Sequence, residues 1–161
     1  MPLVTALLAE TDRLSLTTET ADGPIAHICL TPCTIAPAPA EGDPPAPLGP
    51  GEMRGRPAML LGPLAVSPDL QRRGHGSKLV ADALARVATR PGKPPVFVLG
   101  DPAYYGRFGF HAAHNVAPPY PLPEAWYGAW QALSLTGEPL LNGVLHVPEV
   151  WAKPAYWTDA P

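Results

Sequence analysis

Residues 13–20, RLSLTTET, alternate apolar and polar side chains, which is the period of a strand with one buried face. ADGP at 21–24 is a turn signal, and residues 25–35 are apolar and β-branched enough to form the returning strand, so the pattern predicts a hairpin. Residues 36–57, APAPAEGDPPAPLGPGEMRGRP, show no period of either kind. Proline and glycine leave them no core-forming face, and the segment reads as a mobile surface insertion within a single domain of residues 1–161.

AMLLGPLAV at 58–66 is apolar on both faces, as a central strand is, yet Gly62 and Pro63 interrupt it. Proline cannot donate to a ladder, so a bulge is expected there, and a bulged central strand leaves backbone N–H and C=O groups free. Leu79, Val80, Ala83, Leu84 and Val87 then form one helical stripe, with Lys78, Asp82, Arg86 and Arg90 opposite, and Pro91-Gly92 stops the helix. PVFVLG at 95–100 predicts a second buried strand. Asp101 and Pro102 supply an N-cap and a first-turn proline for a short helix ending at Gly109. WQALSL and GVLHV predict two more short strands among turns.

Composition narrows the partners. With 46% apolar and 16% charged residues, a net charge of -3 and a pI near 5.9, the chain has no basic face broad enough for nucleic acid. Its apolar runs fall short of the roughly 18 residues of a membrane span, and residues 1–10 lack the basic start and apolar stretch of a signal peptide. The expectation is a soluble cytoplasmic protein that binds neither nucleic acid nor membrane. Cys29 and Cys33 share one strand face but stand too far apart to bridge, so both are expected as free buried thiols. His111 and His114 have no acidic or thiol companions in a ligand pattern, and no metal is expected.

Between the interrupted strand and the helix lies QRRGHG, Gln71 through Gly76. A helix N-terminus offers unpaired N–H groups and a partial positive charge, and a glycine-lined approach lets an anion come close. A P-loop needs G-x-x-x-x-G-K-[ST], which GHGSK does not supply. A dinucleotide fingerprint needs G-x-G-x-x-G directly after a strand, with Asp101 then a candidate for the ribose, but several residues intervene and Leu79 occupies the third glycine position. The pattern [QR]-x-x-G-x-[GA] after a bulged strand fits without adjustment.

That pattern, together with GDPAYYGRFGF and YPLPEAW downstream, resembles the GNAT superfamily of N-acetyltransferases, and residues 13–150 follow its order. The resemblance implies an α/β (α+β) fold with a mixed, mostly antiparallel central sheet, a splayed central strand pair and flanking helices. It implies acetyl-CoA as co-substrate, transfer of its acetyl group to a primary amine by direct attack on the thioester, and no metal. Backbone groups of Leu64, Ala65 and Val66 would meet the pantetheine arm, with a backbone N–H near Leu64 facing the oxyanion. Gln71, Arg72, Arg73, Gly74, His75, Gly76 and Ser77 would surround the pyrophosphate, and Tyr105 would be the general acid, with Tyr104 left to packing.

The chain departs from the family pattern in two places. Residues 59–66 contain no carboxylate to act as base, which leaves Glu52, Glu124, His27, His111 or a water chain, while Asp101 is explained as a cap. Only residues 2–11 precede Arg13, where the family usually places a strand and two helices, so the first strand and first helix are expected to be missing and a homodimer is favoured. The aromatic tail is then expected to cover an exposed sheet edge. The alternative function is an acyl-CoA-binding module without efficient turnover.

Overall fold

The computed structural model of the chain describes residues 2–9, 12–38 and 55–158. A helix, α1 (Pro2–Leu8), leads to the hairpin β1 (Leu14–Thr20) and β2 (Gly23–Ala36). Thr20 Oγ1 orders the turn between them by donating to Gly23 O at 3.3 Å and accepting from Asp22 N at 3.3 Å, and Gly23 supplies the positive φ. Next come β3 (Arg56–Val66), α2 (His75–Val87), β4 (Val96–Leu99) and α3 (Pro102–Tyr105). They are followed by β5 (His111–Ala112), β6 (Val116–Ala117), β7 (Trp130–Leu133), β8 (Gly143–His146) and α4 (Ala155–Thr158). Ala36 still belongs to β2, while Arg56 and Pro57 already belong to β3, because pairing with the neighbouring strand satisfies their backbone. The expected insertion therefore narrows at both ends. Its residues 39–54, including Glu52, lie outside the described residues.

The strands form one sheet in the order β5-β7-β4-β3-β2-β8-β6, with β1 on β2. Among the described residues only the pairs β3–β4 and β6–β8 are parallel, so the sheet is mixed and mostly antiparallel, as expected. The strands at the far ends of this order, β5 and β6, are separated in sequence by residues 113–115 alone, a reach of roughly 14 Å. The sheet must therefore curl back on itself. Ala113 N donates to Trp130 O at 2.9 Å, and Trp130 Nε1 donates to Val116 O at 2.8 Å, fastening the connecting segment across the inside of the curl.

Each face has its own core. On the outside, α2 lays the expected stripe of Leu79, Val80, Ala83, Leu84 and Val87, all buried, over Ala26, Ile28, Leu30, Met59, Leu61, Val96 and Val98. The inside is filled by Phe97, Trp130, Trp151, Trp157, Leu7 and the alternate residues of β2 and β3. The aromatic tail thus lies within the curl rather than along an edge. Its indoles find partners there, Trp151 Nε1 donating to Thr31 Oγ1 at 3.2 Å and Trp157 Nε1 to Trp151 O at 2.9 Å. Where the resemblance implied a strand and two helices, the described residues show α1, whose Leu7 enters this inner core beside the 3-10 turn Glu149–Trp151. Cys29 and Cys33 are free and buried on the inner face, and burial raises both thiols above their ordinary range.

The expected bulge is present. Ile28 pairs with Leu64 and Leu30 with Leu61, so Gly62 and Pro63 together oppose Cys29. One extra residue reverses the side-chain alternation. Met59 and Leu61 face α2 before the bulge, and Leu64 and Val66 face it afterwards, which a regular strand could not achieve. The later part of the chain departs from expectation, with four short strands where two are predicted. Of these, β5 and β6 are two residues each, too short to show a period.

Candidate coenzyme and active site

The ladder between β3 and β4 pairs Met59 with Val96, Leu60 with Phe97 and Leu61 with Val98, and goes no further. Beyond Leu61 the bulge carries β3 away, and its remaining residues have no ladder partner on the β4 side among the described residues. Ser67 N donates to Ile25 O at 2.8 Å, and the alternation of an antiparallel ladder then turns Ala65 toward β2 and Leu64 and Val66 toward the gap. Of the three residues expected to present backbone, two therefore do so. Val66 O is already engaged there by Gln71 Nε2 at 3.2 Å, so the Gln71 side chain closes the end of the strand.

The loop that follows is built to expose N–H groups. Leu70 N and Gln71 N close a 3-10 turn at Pro68–Leu70 onto Ser67 O and Pro68 O, and Lys78 N makes the first bond of α2, to Gly74 O at 2.9 Å. Between them, the N–H groups of residues 72–77 have no acceptor among the described residues. Six successive donors at the positive end of a 13-residue helix make a site for an anion with several oxygens. Arg72 holds φ at 60° and Gly74 at 85°, the left-handed conformations that bend the chain around this centre. A Cβ built on Gly74 meets nothing within 4 Å, so the space before the loop is open.

Tyr105 stands at the other side of the gap. Its ring packs on Gly100, just past β4, so closely that a Cβ on Gly100 would overlap it, and it meets Tyr104 and Phe110 edge to face at 5.0 and 5.7 Å. Burial, with Tyr104 beside it, pushes the phenol up to about 12, so it carries its proton throughout the neutral range. Asp101 caps α3, accepting from Ala103 N at 2.9 Å, which accounts for it structurally. On the inner side of the bulge the Trp151 indole covers Gly62, its Cη2 3.2 Å from a Cβ built there.

The remaining candidates do not gather at the gap as one group. Glu124, His111 and His114 lie on the segments around β5 and β7, and no group of three or more His, Cys, Asp or Glu comes together among the described residues. His27 is half-buried on β2 opposite Ala65, on the inner side, with Nε2 2.8 Å from Ser15 Oγ. Burial and the nearby Arg13 charge lower its pKa.

No family model matches the chain. Over 93 residues it is 37% identical to the uncharacterized N-acetyltransferase YjhQ of Escherichia coli (strain K12), a match taking in 56% of this chain and 51% of YjhQ. The chain thus spans about half the length of that curated relative. A GNAT family acetyltransferase from Brucella melitensis, solved in complex with acetyl-CoA, is 26% identical and superposes with a TM-score of 0.64 over 93% of this chain and 76% of that one. In sequence and in fold, then, the chain is similar to GNAT family acetyltransferases. The GNAT N-acetyltransferase YhbS of Escherichia coli, solved in complex with CoA, shares the fold at 24% identity, with a TM-score of 0.68 over 94% of this chain and 77% of that one.

The sequence located the bulge and named the loop and Tyr105 as candidates, but it did not single out two residues that pack against those candidates. Gly100 could have been suspected from its place directly after the strand and before Asp101-Pro102. Arg107 sits inside the Tyr-x-x-x-Gly-Phe pattern without any local signal, and its contact with Ser77 spans 30 residues.

Proposed function

We propose that the chain is an N-acetyltransferase that takes the acetyl group of acetyl-CoA and passes it to a primary amine of a small molecule or protein. The observation that carries this reading is the run of six unpaired N–H groups at the start of α2, opening toward the gap beside Leu64 and Val66. A pyrophosphate fits those donors, and the pantetheine amides fit the free backbone of β3, which aims the thioester at the end of β4. The amine nitrogen then attacks the thioester carbonyl, forming the C–N bond as the C–S bond breaks. The Leu64 N–H steadies the oxyanion, Tyr105 gives its proton to the departing sulfur, and water removes the proton that the amine nitrogen releases. A phenol at about 12 is a weaker acid than a free thiol at about 8.5, so this proton transfer depends on the same burial raising the basicity of the departing thiolate. The reading carries with it a cytoplasmic setting, where acetyl-CoA is at hand.

One observation favours a second reading, acyl-CoA binding without efficient turnover: the Trp151 indole, fixed to Thr31, lies against the bulge at Gly62 and takes up space on the inner side of the strand, which an amine entering there would need. Calorimetric titration with acetyl-CoA, followed by thiol release against a panel of amines, separates the two. Binding with release for any amine supports the transferase. Tyr105→Phe should then lose about 100-fold or more in kcat while keeping its affinity for acetyl-CoA. Binding with no release for any amine supports the binder, and absence of binding rejects both.

A further inference from the structure

Tyr104, which the sequence assigns to packing, has its hydroxyl beside the glycine loop: a Cβ built on Gly76 would lie 2.9 Å from Tyr104 Oη. The Arg107 guanidinium lies over that ring, with Cζ 4.6 Å from its centroid and 5.6 Å from that of Phe108. Its Nε donates to Tyr104 O at 3.2 Å, and its Nη2 donates to Ser77 Oγ at 3.3 Å. Ser77 ends the run of unpaired N–H groups. Arg107 is itself exposed and, among the described residues, pairs with no carboxylate.

A planar cation laid flat on an aromatic face and tied at Nε has lost much of its rotamer freedom before any ligand arrives. Its partners, two ring faces, the Tyr104 carbonyl and the Ser77 hydroxyl, are all uncharged, so the arrangement fixes its geometry and leaves its charge without a counterion among the described residues. Arg72 and Arg73 are exposed on the loop, and no hydrogen bond fixes either guanidinium among the described residues. Arg107 is therefore the pre-ordered cation at this end of α2, and an anion seated on residues 72–77 would lie within reach of its free N–H groups.

We infer that Arg107 is a phosphate-binding residue, held over Ser77 by the Tyr104 ring so that its guanidinium fork closes on the pyrophosphate of the coenzyme. The inference rests on the acetyl-CoA reading above and adds a residue to that site.

The test compares wild type, Arg107→Gln and Arg107→Lys. Calorimetry with acetyl-CoA and with dephospho-acetyl-CoA, which lacks the 3′-phosphate, is set beside ligand-observed NMR with acetyl-pantetheine, which lacks every phosphate. Arg107→Gln should weaken both nucleotide thioesters alike, by about tenfold to a hundredfold, and leave acetyl-pantetheine unchanged. Arg107→Lys, which keeps the charge and loses the fork, should fall between. Thermal melting of the free proteins checks that the fold is retained. Affinity of Arg107→Gln for acetyl-CoA within about twofold of wild type would overturn the inference, as would an equal loss for acetyl-pantetheine, the mark of a structural role. A loss confined to acetyl-CoA would assign Arg107 to the 3′-phosphate and overturn the pyrophosphate assignment. If wild type binds neither nucleotide, the coenzyme reading falls and this inference falls with it, whereas wild-type binding with an unchanged variant removes the inference alone.

Discussion

Gly100 has no side chain because Tyr105 occupies the space that one would need. Gly100→Ala must push the ring away from the end of β4, and overpacking of this kind destabilises by about 1–3 kcal/mol. The expected outcome is a lowered melting temperature and a kcat reduced at least about tenfold, with acetyl-CoA affinity kept, since the loop is untouched. Gly74 makes the opposite case: its Cβ has room in the free protein, but φ is 85°. Gly74→Val should lose about 1–2 kcal/mol of stability to backbone strain and, on the proposed acetyl-CoA reading, at least about tenfold in coenzyme affinity, measured by calorimetry, because the branched side chain would enter the space assigned to the anion. Two titrating residues make stability depend on pH. His27 has a lowered pKa, chiefly through burial, so the unfolded chain takes up its proton near 6.5 while the folded chain still resists. Stability should therefore fall as pH drops below 6.5, and His27→Gln should flatten part of that slope in melting curves recorded from about pH 7.5 to 5. Tyr105 acts at the other extreme. Its phenol is raised from 10.0 to about 12, so its contribution is complete below pH 10 and is lost as pH climbs from 10 to 12.

The helix α2 was fully legible, because its period is local: the five residues of the apolar stripe are the five that become buried, and Lys78 pairs with Asp82 at 2.6 Å one turn on, in solvent. Leu79→Ala should therefore destabilise by about 2–5 kcal/mol in chemical denaturation, whereas Lys78→Ala, which breaks only an exposed pair, should barely move the midpoint. The bulge was legible for the same reason, since a glycine followed by proline inside an apolar run cannot continue a regular ladder. Its effect on facing was not, because reversal of the alternation shows only when Leu64 and Val66 are seen packing under α2. Strands of two residues such as β5 and β6 exist through their partners, Ala132 and Gln131 for one, Gly143 and Val144 for the other, and carry no pattern of their own. The Arg107–Ser77 contact joins α2 to the turn after α3 and likewise has no local trace.

The curl of the sheet explains what the aromatic tail is for. A sheet closed by so short a connection has a concave interior that small side chains cannot fill, and Trp130, Trp151, Trp157 and Phe97 fill it, with Trp130 at 5.4 Å from Phe97 and 5.8 Å from Trp157 between ring centroids. Trp130→Phe keeps most of that volume and removes the bond to Val116 O, so a loss of about 0.5–1.5 kcal/mol is expected. Trp130→Ala empties the interior and should lose about 3–5 kcal/mol, both read from denaturant midpoints. The order of the chain gives this interior a history. Synthesis proceeds from the N-terminus at about 5–20 residues per second, and the residues that build the outer core end with Leu135, whereas the inner core waits for Trp151 and Trp157. For about a second or more, a nascent chain emerging from the ribosome has its helix-covered side complete and its concave side open, and that side is the one a chaperone would have to shield.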